Sequence, residues 1–181
     1  MRLFHALTGA FSLLLLAGCA TKLSPLQEDA LHPLTDKSGL LVLAVDSNIS
    51  LYELRITGNR TLLFNKDDLT RGTHYLLVEV PAGQYRIANI GLSANITVRL
   101  DFDRDLWRFE VQPGTINYVG HLRMNNRHLL GSDILLTNNA SLALEHLEEH
   151  FPLLLSSHAI NYSGPGEDNF FQIVGAGKEA P

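Results

Sequence analysis

From Gly39 to Leu136 the chain is a succession of short runs rich in branched and aromatic residues, each cut by a turn signal. The runs are LLVLAVDS (40–47), ISLYELRIT (49–57), TLLF (61–64), HYLLVEV (74–80), QYRIANI (84–90), NITVRLDF (95–102), LWRFEV (106–111), TINYVGHLRM (115–124) and HLLGSDILL (128–136). Gly58-Asn59 reads as a hairpin turn, and Pro81-Ala82-Gly83 and Pro113-Gly114 break the runs that precede them. Strict alternation puts Ile96, Val98, Leu100 and Phe102 on one face, and Ile116, Tyr118 and Gly120 on one side of their run. No gap is long enough for the crossover helices of a parallel α/β fold. The expectation is a mainly β protein: an antiparallel β-sandwich of seven to nine strands over residues 39–136.

The texture changes after Thr137. Ala140, Leu144, Leu147, Phe151 and Leu154 fall on one helical stripe, and Asn138 or Asn139 can cap its start. Glu145, Glu148 and Glu149 lie off the stripe, and Pro152 should kink or end the helix. One amphipathic helix within 137–158, packed on the sandwich edge, is expected, and residues 159–181 read as an extended tail that Phe170, Phe171, Ile173 and Val174 would dock. Residues 19–38, with Pro25 and Pro33 among polar residues, read as a tether with one helical turn near Gln27–Leu31.

The amino terminus carries an address. Arg2 precedes an apolar run from Leu3 to Ala17 that is too short to span a bilayer but fits the apolar core of a secretory leader. It ends in Leu16-Ala17-Gly18-Cys19, and Cys19 is the chain's only cysteine. All four residues match the bacterial lipobox, so the chain resembles a bacterial lipoprotein. The resemblance implies a signal peptide over 1–18, cleavage between Gly18 and Cys19, a diacylglyceryl thioether on Cys19 and acylation of its new amino group. Several acyl chains hold a protein stably where one would not. Ala20 stands where inner-membrane lipoproteins of this type usually carry Asp, so the resemblance implies a lipid anchor in the outer membrane, facing the periplasm.

Charge agrees with that address. Fourteen Lys and Arg against 19 Asp and Glu leave a net charge of −5, without basic clusters, which argues against nucleic acid. After residue 19 no apolar run is long enough for a second crossing.

Two phrases, VEVPAGQYRI (78–87) and FEVQPGTINYVGHL (109–122), each read strand, Pro and Gly, then a strand bearing Tyr. This is similar to small transthyretin-like or immunoglobulin-like sandwich modules of bacterial envelope proteins. The resemblance implies a module that binds or scaffolds, and it supplies no catalytic residues.

Candidate chemistry is sparse. HLEEH (146–150) puts His146 and His150 on one helix face and matches the H-x-x-E-H string of inverted zinc peptidases. A zinc site needs a third protein ligand, and the short remainder of the chain offers only Glu167 and Glu179 as glutamates. His146 and His150 are therefore weak metal candidates, and no metal or cofactor is expected. DFDRDL (101–106) spaces Asp101, Asp103 and Asp105 like the start of a calcium loop, but Leu106 and Gln112 occupy the places of its Gly and Glu. There is no G-x-S-x-G, phosphate loop or dinucleotide fingerprint.

The expected function is that of a non-catalytic, lipid-anchored envelope protein, reaching the membrane through Cys19 and binding or scaffolding an envelope protein, with a sandwich edge strand as its working surface. The alternatives are a metal-dependent or other hydrolase assembled from His121, His128, His146, His150 and carboxylates, or a structural or stress-response lipoprotein with no stable partner.

Overall fold

The structure, a computed structural model, describes residues 21–100, 105–127 and 131–178. The lipobox residues 16–19, His128, Asp101 and Asp103 lie outside them. Strands β1 (Thr21–Lys22), β2 (Ser38–Ser47), β3 (Glu53–Gly58), β4 (Leu62–Asn65), β5 (Gly72–Pro81), β6 (Gly83–Ser93), β7 (Ile96–Arg99), β8 (Arg108–Val111), β9 (Ile116–Asn126), β10 (Ser132–Thr137) and β11 (Ile160–Tyr162) are joined by helices α1 (Ala140–His150), α2 (Pro152–Ser157) and α3 (Phe170–Lys178). All nine expected runs contain a strand, β2 to β10, and the two further strands are short.

The fold is a β-sandwich. One sheet has the order β1-β4-β3-β6-β7, with β8 also on β6; the other has the order β10-β9-β2-β5, with β11 also on β9. Most pairings are antiparallel, but β2 and β9, at the centre of the second sheet, run parallel. The chain between them adds β5 to the same sheet and otherwise builds the other sheet, so no helical crossover is needed. Both Pro-Gly corners carry this traffic: Pro81-Ala82-Gly83 passes from β5 to β6, and Pro113-Gly114 from β8 to β9, each changing sheets.

Strand β2 explains the layering. Leu41, Leu43 and Val45 enter the core between the sheets, against Phe64, Ile87, Phe109 and Val111. Leu40 and Val42 point the other way, into a second cluster with Ile116, Tyr118, Ala143, Leu147, Leu154 and Phe171. The helices thus cover a face of the second sheet, not the sandwich edge expected from sequence. The reason is that β2 and β9 are apolar on both faces, and a bare outer face would expose that surface to water. An isolated helix of α1's length is marginal in water, so burial of Ala143 and Leu147 is what holds it.

Three expectations are corrected. The single helix breaks at Phe151, where Pro152 opens α2 as a new helix. The extended tail is instead β11, paired with Ile116–Tyr118, followed by α3, whose Phe171 is buried against Tyr118. The tether is packed on the domain over its described residues: Leu23 and Leu26 donate backbone bonds to Leu63 and Leu77. Leu26 and Leu34 pack on the outer cluster. The expected turn of helix is absent; Asp29 instead accepts the Leu153 and Leu154 N–H groups at 2.8 and 3.2 Å, capping α2 from a distant segment. Among the described residues no helix is long and apolar enough to cross a membrane.

Strand β9 carries a β-bulge. Val42 pairs with Tyr118 but Leu43 pairs with Gly120, so Val119 is the extra residue. Gly120 has φ +136°, and a Cβ there would lie 3.0 Å from the Thr137 carbonyl. Next to it, fully buried Asn117 stitches the β8–β9 corner: its Nδ2 donates to the Leu40, Gln112 and Thr115 carbonyls, and its Oδ1 accepts the Gln112 N–H at 2.9 Å.

Gly120→Ala is expected to destabilise the protein by about 1–3 kcal/mol, through backbone strain at a positive φ. Asn117→Ala, which strands buried backbone groups, is expected to cost about 2–4 kcal/mol. Urea denaturation of each variant measures both losses; a neutral Gly120→Ala would mean that the bulge can be absorbed elsewhere.

Candidate functional site

Past the bulge, β9 turns Tyr118 and His121 to the same, helix-covered face of the sheet. Beside them on that face stand Tyr75 of β5 and Asp46 of β2, and α1 crosses above. The result is a cleft of about 350 Å³ between the sheet and α1, lined by Asp46, Tyr75, His121, Arg123, Glu145 and His146 among others. A larger groove, about 630 Å³, runs between α1, α2 and α3, but His158 is the only titratable side chain that lines it. Chemistry is therefore concentrated in the smaller cleft.

A hydrogen-bond chain forms the cleft floor. The Asn139 N–H donates to the Tyr118 hydroxyl at 3.0 Å, and that hydroxyl lies 2.7 Å from His121 Nδ1. His121 Nε2 lies 3.2 Å from the Tyr75 hydroxyl, which donates to the Leu142 carbonyl at 3.2 Å. The Tyr75 end fixes the protons. A carbonyl can only accept, so Tyr75 gives its proton to Leu142 and accepts from Nε2–H. In the neutral imidazole Nδ1 is then the acceptor, and Tyr118, which accepts from the Asn139 N–H, gives its own proton to Nδ1. The chain joins β5 and β9 to the first turn of α1.

Burial acts on each member. His121, 5% exposed, is held below the ordinary histidine range, chiefly by desolvation; Asp46 opposes this and Arg123 adds to it. Desolvation pushes the Tyr118 and Tyr75 hydroxyls up, with Glu145 adding to the second. His146 stacks on the Tyr75 ring with centroids 3.8 Å apart, and is also held low, first by burial and then by His150.

At the mouth, Arg123 pairs with Asp46 at 3.4 Å, while Glu145 and Glu149 stand exposed on α1. With His121 and His146 neutral, three carboxylates face one guanidinium. His121 orients both tyrosine hydroxyls, and hydroxyls raised by burial are poor nucleophiles at neutral pH. The arrangement suits recognition of a positively charged group.

Of the residues singled out by sequence, His121 and His146 meet around Tyr75. His150 stacks on His146 at 4.4 Å, and its Nδ1 contacts the His146 carbonyl. Among the described residues no three His, Cys, Asp or Glu side chains are grouped to hold a metal. Asp105 pairs with Arg108 at 3.1 Å on the surface. Of the two helix-cap candidates, Asn139 holds the cap position without a side-chain bond, and Asn138 Oδ1 accepts the Ala140 N–H. Sequence reasoning missed Tyr75, Tyr118 and Asn117; the lone Gly120 inside a strand pattern was the available signal of a bulge. No protein-family model, curated protein or solved structure matches this chain.

Tyr118→Phe removes both the acceptor for Asn139 and the donor to His121, and is expected to cost about 1–3 kcal/mol. A second expectation concerns pH. An unfolded histidine titrates near 6.5, and His121 and His146 titrate lower in the folded state, so the unfolded chain binds more protons between those values. Their contribution is complete above about pH 6.5 and is lost as pH falls through that window, with a slope of at most ~1.4 kcal/mol per pH unit for each group. His121→Gln should flatten this slope, measured as unfolding free energy against pH; an unchanged slope would remove His121 from the titration.

Proposed function

We propose that this chain is a non-catalytic, lipid-anchored protein of the bacterial cell envelope, and that the acid-lined cleft under α1 binds another envelope component. The observation that carries the reading is the lining of the cleft: Asp46, Glu145 and Glu149 stand around the single guanidinium of Arg123, above a floor that His121 and two tyrosine hydroxyls hold together. The lipobox at Leu16-Ala17-Gly18-Cys19 supports the anchor. The cleft replaces an edge strand as the favoured working surface, because two edges are occupied: β1 lies on β4, and Leu26 bonds to the outer side of β5. Three carboxylates around one guanidinium favour a partner that presents an amine or a guanidinium.

The test is in-cell photocrosslinking from residues 73 and 145, compared with residue 135 on β10, in native and Cys19→Ser chains. One envelope component is expected from the cleft positions in near-stoichiometric yield. Glu145→Lys with Glu149→Lys should abolish its capture without unfolding, since both residues are exposed, and Cys19→Ser should reduce it. Capture that survives the charge reversal, or that comes only from residue 135, would overturn the cleft as the binding surface.

A further inference from the structure

We infer that one end of the sandwich rests on lipid headgroups while the cleft opens at the other end, facing away from the bilayer. This rests on reading Cys19 as the lipidation point, and it adds which surface of the protein meets the membrane.

The argument starts from register. Thr21 and Lys22 pair in parallel with Leu62 and Leu63, at the start of β4. The chain therefore arrives from the end of the sandwich that carries the β3–β4 turn. Cys19 precedes Thr21 by two residues, and two residues of chain span at most ~7 Å. A lipid on Cys19 thus has too little chain to let the domain swing free, since the segment that follows is already paired with the sheet.

That end is a continuous platform drawn from both sheets. Strand β3 ends there at Gly58, β5 ends at Pro81 opposite Ser38 of β2, and β8 ends at Val111 opposite Gly83 of β6. Hydrogen bonds tie the corners together. Asn59 Nδ2 donates to the Ala82 carbonyl at 2.7 Å, the Ala82 N–H to Lys37 at 2.8 Å, and the Gly114 N–H to Ser38 at 2.9 Å. The platform carries Lys37 and Arg60 against Asp36 and Glu110, so it is close to neutral on a chain of net charge −5, and Lys22 follows Cys19 closely in sequence. An anionic headgroup layer repels this end less than it repels the acidic face of α1.

The cleft lies along the same strands. Asp46 of β2 pairs with Thr73 and Arg123, eight positions beyond Ser38. At 3.3 Å per residue that is ~26 Å from the platform. The anchor and the recognition surface therefore sit at opposite ends of β2.

Site-directed spin labelling tests this. Lipidated protein carrying one added cysteine is placed in phosphatidylethanolamine–phosphatidylglycerol vesicles, with Lys37→Cys and Pro113→Cys on the platform and Asp67→Cys and Ala94→Cys at the far end. Mass spectrometry and vesicle flotation check acylation and attachment. The expected result is accessibility to a water-soluble nickel chelate at least several-fold lower at residues 37 and 113 than at 67 and 94. An acylated, vesicle-bound protein with four equally accessible labels, or with 67 and 94 shielded, overturns the orientation alone. A chain that is not acylated and does not float overturns the anchor reading, and the orientation with it.

Discussion

Strand β2 is buried on both faces, and the rest of the architecture follows from that. A strand whose alternate residues are all apolar cannot sit in a two-layer sandwich with one side wet. Leu41 and Leu43 are covered by the opposing sheet, and Leu40 and Val42 need a third layer. Helices α1, α2 and α3 supply it, none of them long enough to persist alone. The segment before β2 completes the cover, with Leu26 and Leu34 on the outer cluster and Asp29 capping α2. From Leu26 onward the expected tether, with the helices and the tail, forms a lid over a single sheet face, while β1 and Leu23 belong to the other sheet.

The bulge at Val119 then decides what that covered face can do. Without it, residues 118 and 121 would point to opposite sides of the sheet. With it, Tyr118 and His121 come within 2.7 Å of each other, under α1. The same shift sends Val119, Leu122 and Met124 into the core between the sheets, so the two cores and the polar floor are phased by one extra residue. Gly120 supplies the positive φ this requires, and Asn117 ties down the backbone just before it.

The legible part of the fold is the part that depends on local chemistry. Alternation, turn residues and the stripe through Leu147 and Leu154 locate nine strands and the α1–α2 region, because each signal is complete within about ten residues. Long-range choices were not legible. The parallel pairing of β2 and β9 joins residues 76 or 77 positions apart, and α1's placement on a face rather than an edge depends on it. Helix α3 escaped because Gly164-Pro165-Gly166 and Gly175 gave its surroundings the composition of a loop, whereas its burial is set by Tyr118 on a distant strand. The cleft was the least legible feature. Strict alternation placed Tyr118 with Gly120 and opposite His121, and a bulge inverts that inference without changing composition. HLEEH gives His146 and His150 the spacing of metal ligands, while the two tyrosines that hold His121 carry no motif.

The floor of the cleft and the seat of α1 are made of the same hydrogen bonds, which has a physical consequence. Tyr118 holds the Asn139 N–H and Tyr75 holds the Leu142 carbonyl, so both tyrosines bind the first turn of α1 while gripping His121 between them. A proton added to Nδ1 would face the Tyr118 hydroxyl, whose own hydrogen would then lose its partner in a fully buried place. The facing groups set the balance: Arg123 resists that proton, Asp46 favours it, and Glu145, His146 and Glu149 look down from α1. Asp46 and Arg123 are also each other's partner at the mouth. A cationic group that drew Asp46 away from Arg123 would therefore alter the field at His121 and, through the two tyrosines, the hold on α1. A cationic group held at the mouth, as proposed, would thus act on the fastening of the helix layer through this one neutral histidine.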